Sequence, residues 1–228
     1  GLYKESLAIN KRAMAVDEQY FRTSPSDPMY RSAHYPHNIH FVLVSAQMGG
    51  DGPTAIDAAG KLDASLSDTV IAQFAVLEPI KAAPYLAHTL FSAPEAILAM
   101  KAPPEEQVLV SALAHYARAI AFAAKKDPTG AQREIDAIVA IEQKADFKPY
   151  ADLAVPGKEI VQTARLVATA RLADAQGDLP GAARAYEEAI TIEDALAYME
   201  PPYWYYPIRQ SLGSIYLRQG KLDAAEKA

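Results

Sequence analysis

GDLPGAARAYEEAI at residues 177–190, answered by GKLDAAEKA at 220–228, decides the architecture of this chain. Each stretch opens on a glycine, where one helix stops and the chain turns. Alanines and other apolar residues at helical spacing follow, with Asp178 placed to cap the helix in the first stretch. A pattern that returns after a few tens of residues describes helical hairpins, each with one apolar face that only a neighbouring hairpin can cover. The expected fold is therefore an all-α stack of such hairpins.

Working outward, a helix at about 158–176 ends at Gly177 and its partner runs from Asp178 to about 195. MEPPYWYYP at 199–207 breaks the pattern before a helix at 207–219, and Gly220 turns the chain into a final one. Upstream, VLVSALAHYARAIAFAA within 105–124 is apolar nearly all round, which buries that helix between neighbours, and Asp127 caps the next at 128–144. Residues 2–20 carry Leu2, Leu7, Ala13, Val16 and Tyr20 at helical spacing before the breaker-rich TSPSDP at 23–28. Helices then run from Tyr35 to Met48 and from Pro53, joined by GGDG at 49–52. Less regular helices follow at 67–78, capped by Ser67 or Asp68 and ended by Pro79, then at 84–91 and 94–100. Pro53, Pro94, Pro104, Pro128 and Pro180 stand where helices begin, a place where the missing N–H is harmless.

Half of the 228 residues are apolar, and the net charge of −6 comes with no basic cluster. That balance argues against a nucleic-acid or anionic-membrane surface. No apolar run is long enough to span a membrane, and residues 1–20 do not read as a secretion signal. The absence of cysteine removes disulfides, thiolate chemistry and cysteine-ligated metals, and leaves the compartment open. Because a solenoid lengthens without adding separate cores, residues 1–228 are expected to form one array.

Gly177, Asp178, Leu179, Ala182, Tyr186 and Ala189 resemble the second-helix signature of a tetratricopeptide repeat. Leu212, Gly213, Tyr216, Gly220, Leu222 and Ala225 resemble its first helix and turn. The resemblance implies a right-handed superhelical solenoid of about five hairpins, the middle ones irregular, whose inner helices line a concave groove. In the same register the turn glycine is matched by Gly1, Gly50, Ser92 and Lys126 upstream. The array is expected to be cut within a repeat at both ends. GLYKESLAIN, HYPHNIHF and PPYWYYPIRQSLG together resemble a group of bacterial tetratricopeptide-repeat proteins of poorly defined function that carry a further histidine-rich helix upstream, which would place the chain in a bacterial cytoplasm or periplasm.

HYPHNIH, with His34, His37, Asn38 and His40, is the densest polar constellation. His37 and His40, one helical turn apart, present two imidazoles on one face and could share a metal. A catalytic zinc would need a third ligand, for which His34, His115 or a carboxylate stand ready, and an open water position. The alternative is that these histidines line the groove or bond to backbone. Asn10 and Asn38 are the only asparagines, and Asn10 falls at a helix-packing position, so its amide is expected to bond the next helix near His37 or Asn38. Tyr203, Trp204, Tyr205 and Tyr206, with Arg209, form either an aromatic ledge for a ligand or a plug over apolar surface; the stiffening prolines favour the plug. Tyr116 is expected to face the groove and His115 the partner helix.

The function expected from this pattern is a non-catalytic scaffold that takes a peptide or protein segment in its groove, through His37, His40, Tyr116, Arg171, Trp204 and Arg209, without a cofactor. The alternative is a metal-binding protein or metal-dependent enzyme that holds a divalent transition metal at His37 and His40, a site expected to be completed by residues outside this sequence. Open ends of the array also allow self-association.

Overall fold

The computed structural model describes residues 2–24 and 30–228, so Gly1 and most of the TSPSDP segment lie outside the described residues. Every regular element among the described residues is helical. They cluster into two compact units, Gly1–Ser92 and Ala93–Ala228. No helix among them is long and apolar enough to cross a membrane.

The first unit contains α1 (Tyr3–Thr23), a π-helical turn (Tyr30–His34), α2 (Tyr35–Met48), α3 (Gly52–Ser65), α4 (Asp68–Gln73), a 3-10 turn (Ala75–Leu77) and α5 (Glu78–Phe91). Helix α2 packs between α1 and α3, and α3 packs in turn on α5. Ile39, Leu43, Leu62 and Leu66 are fully buried and form the centre of this core. The interval from 67 to 91 departs from expectation. Pro79 does not end a helix there; it occupies the first turn of α5, and Pro84 lies inside the same helix. A proline in a first turn forfeits no hydrogen bond, so it is as good a start signal as a stop signal.

The second unit contains α6 (Pro94–Leu98), α7 (Val108–Ala124), α8 (Pro128–Lys144), α9 (Lys148–Ala151), α10 (Gly157–Ala175), α11 (Leu179–Ala195), α12 (Ile208–Arg218) and α13 (Leu222–Lys227). Helices α7 and α8 pair, α10 lies against both and pairs with α11, α12 packs on α11, and α13 on α12. Alanines allow this close approach: Ala112, Ala117 and Ala119 of α7 and Ala164, Ala168 and Ala170 of α10 are buried.

Four turns share one geometry. Gly50, Lys126, Gly177 and Gly220 all have φ between 59° and 82°. After each, the next N–H reaches back five residues to a carbonyl: Asp51 to Ala46, Asp127 to Phe122, Asp178 to Ala173 and Lys221 to Tyr216, at 2.9 to 3.0 Å. This is the Schellman closure, which satisfies the last carbonyls of one helix and reverses the chain. In three of the four, the residue after the left-handed one is an aspartate that immediately caps the following helix, with Asp51, Asp127 and Asp178 accepting from Thr54, Gly130 and Gly181. Ser92 breaks the register. Its φ is −107°, and the chain passes through it extended to Pro94.

Candidate functional site

On α2 the histidines diverge in environment. His40 is 6% exposed, and burial, with a smaller contribution from nearby His37, pushes its pKa down to about 3. It is neutral at pH 7. His37 and His34 are exposed; the first lies 4.8 Å from the Phe41 ring and the second 5.1 Å from that of Tyr30. Among the described residues no three histidine, aspartate or glutamate side chains come together to hold a metal. Two imidazoles alone fall short of the three protein ligands that a catalytic zinc takes.

The centre of this region is a residue the sequence reading did not single out. Asp17, 3% exposed on α1, accepts from the Tyr30 hydroxyl at 2.6 Å and from the Asn38 amide at 2.7 Å. The hydrogen bond to this carboxylate, more than desolvation, holds the Tyr30 phenol above its usual pKa. Tyr35 donates to Glu18 at 3.0 Å, and burial followed by that bond raises its pKa to about 12. Rings of Phe21, Tyr30 and Tyr35 meet edge-on around the cluster, at 5.9 and 5.2 Å. Asp17 stands seven residues after Asn10, on the side of α1 that faces its neighbours. An acid at a packing position was the available signal.

The expectation for Asn10 fails. Its amide donates to the Ser6 carbonyl of its own helix at 2.9 Å. The link to α2 is made by Ser6 and Ser45, whose hydroxyls lie 2.8 Å apart, while the Asn38 amide is committed to Asp17. The carbonyl one turn back along its own helix is the shorter reach, and it engages the Asn10 amide.

In the second unit the aromatic run folds inward. Trp204 is 7% and Tyr205 4% exposed, while Tyr198 at 85% and Met199 at 44% face outward. The Trp204 ring stands edge-on to Tyr116 of α7, with centroids 5.1 Å apart. Tyr116, expected at a groove surface, is accordingly 7% exposed. Burial also raises the Tyr205 hydroxyl far above the ordinary phenol range. Arg209 forms a bidentate pair with Asp194, at 2.7 and 2.6 Å, which ties the start of α12 to the end of α11 at the base of the segment. Arg171 is exposed on α10, and burial raises the phenol of nearby Tyr186 on α11 above its ordinary pKa.

Glu134 of α8, 5% exposed, is held from α7 by His115 Nδ1 at 2.7 Å and Arg118 Nε at 3.1 Å. Arg118 also donates to the Leu98 carbonyl at 3.3 Å. His115 thus faces its partner helix as expected, engaged in helix packing. An open hollow of about 500 Å³ lies beside α9, lined by Phe147, Val155 and Pro156 among others. It contains none of the residues singled out in the sequence.

Compared with protein-family models, with curated proteins and with solved structures, the chain matches none.

Proposed function

We propose that the chain is a tetratricopeptide-like interaction scaffold, built to hold an extended segment of protein against the first helices of successive hairpins. The repeated turn at Gly50, Lys126, Gly177 and Gly220 supports the repeat assignment, because the same local closure recurs at each and an aspartate cap follows the first three. So does the way α10 lies against both members of the preceding pair. One observation carries the binding role. An irregular, proline-rich stretch of the chain's own sequence leaves the hairpin α10–α11 and buries its tryptophan against α7, a helix of the preceding hairpin. A surface that accepts an extended aromatic segment in one copy is suited to accept one from another protein, with affinity drawn from a few buried aromatic anchors rather than from charge.

The test is selection of a displayed random-peptide library on residues 1–228, followed by the same selection on Arg171→Glu, a change at an exposed position. Enrichment of one motif, weakened by that variant, is expected. No enrichment above that on an unrelated helical protein would refute the reading.

A further inference from the structure

The 199–207 segment has features that the connection between α11 and α12 does not require. Those two helices pack directly on each other, and the Arg209–Asp194 pair already fixes their ends. The intervening residues nonetheless reach back to α7, where Trp204 meets Tyr116. From 197 to 207 the backbone is neither helix nor strand, and three of its residues are Pro201, Pro202 and Pro207. Prolines restrict the unbound chain to few conformations, so ordering such a segment on a surface loses little entropy. Two adjacent aromatics are buried while Tyr198, Met199 and Tyr206 remain exposed on either side. A few anchors in a pocket, rigid flanks and outward polar or mixed neighbours are the anatomy of a bound peptide.

The polar contacts at its edges are exposed ones. The Asp194 and Arg209 side chains are about half exposed, and Tyr198 bonds to Glu200 at the surface. Exposed pairs of this kind contribute little, so the segment is held on α7 by the buried rings of Trp204 and Tyr205, while the direct packing of α11 on α12 does not depend on it.

We propose that residues 199–207 are a resident occupant of the binding face on α7, and that the external partner of this face is a protein segment of the same chemistry, a large aromatic anchor flanked by prolines, which displaces it. This rests on the scaffold reading above and names both the partner class and the competitor it must overcome.

Trp204 is the only tryptophan in the chain, so replacing residues 199–206 by a glycine–serine linker of equal length yields a protein without tryptophan emission. A synthetic peptide of residues 197–208 added to that protein is expected to bind saturably, with a blue shift and increased anisotropy, and a peptide carrying Trp204→Ala is expected not to. Binding to the unaltered chain is expected to be about tenfold weaker, as it would be for a face occupied nine-tenths of the time. Where linker replacement reduces helical circular dichroism, Trp204→Ala in the full chain, which removes only the anchor, takes its place, with the added peptide as the sole tryptophan. Failure of the peptide to bind a helical variant would overturn the proposal, and equal affinity for variant and unaltered chain would overturn the competition. Library selection that enriches unrelated sequences while this peptide fails would sink the inference and leave the scaffold reading standing.

Discussion

His40 gives a quantitative handle on the first unit. Its ring is 6% exposed, and burial holds its folded pKa near 3, whereas an unfolded histidine titrates at about 6.5. Between those two values the unfolded chain carries one more proton than the folded chain. Stability is therefore complete above pH 6.5, declines as the pH falls, and stops declining below the folded value. The slope approaches about 1.4 kcal/mol per pH unit once the unfolded ring is fully protonated, so the interval from pH 6.5 to pH 5 removes about 1.6 kcal/mol through this group alone. That window lies above the ordinary carboxylate range, and Glu142 and Asp194, whose pKa values are lowered, titrate still further down. His88, also lowered by burial, contributes in the same direction but is unchanged in the variant. Urea unfolding followed by far-UV circular dichroism, at pH 6.5 and pH 5 on the native chain and on His40→Leu, isolates the effect. The variant is expected to lose about 1.6 kcal/mol less than the native chain over this interval. The two chains falling in parallel would refute a neutral buried His40, whatever constant offset the substitution introduces.

Three further outcomes follow from particular contacts. Gly177 has φ of 82° and open space around the position of an added Cβ, so Gly177→Ala should cost about 1–2 kcal/mol through backbone strain alone, read by thermal melting; an unchanged melting temperature would refute the turn geometry. Glu134→Ala removes the acceptor of Arg118 and His115 and is expected to lower stability by about 2 kcal/mol, the loss typical of a hydrogen bond to a charged group, by chemical denaturation. Asp17→Asn removes the charge that raises Tyr30; ultraviolet titration should show one tyrosine ionising earlier than in the native chain, and identical curves would count against the Asp17–Tyr30 bond.

Local signals in the sequence carried much of the helical layout. Asp127 and Asp178 each follow a turn residue and each caps the next helix, because a cap is decided within four residues and needs no tertiary context. The helix from Pro128 to Lys144 was legible to both ends for that reason. Pro79 misled because the same residue type opens and closes helices, and only the helix that continues beyond it to Phe91 shows which applies. The candidate site was harder to read. The spacing of His37 and His40 places them near one face but cannot say that one ring is buried and the other exposed, since that depends on where α1 and α3 settle. Asp17 escaped notice because its importance lies in Tyr30 and Asn38, 13 and 21 residues away. Trp204 could be read as ledge or as plug until its distance to Tyr116 was known, and that contact spans most of the second unit's sequence.

The Schellman turns have a consequence for how such a chain can change over time. Lys126, Gly177 and Gly220 are 51 and 43 residues apart (177 − 126 and 220 − 177), yet each closes in the same way within six residues. Because every reversal is completed by its immediate surroundings, additional chain can be spliced in between one reversal and the next without disturbing either. Both the 199–207 stretch and the short α9 occupy such joints, where new sequence can be acquired, tried against an existing surface and kept or discarded while the helices on either side stay as they were.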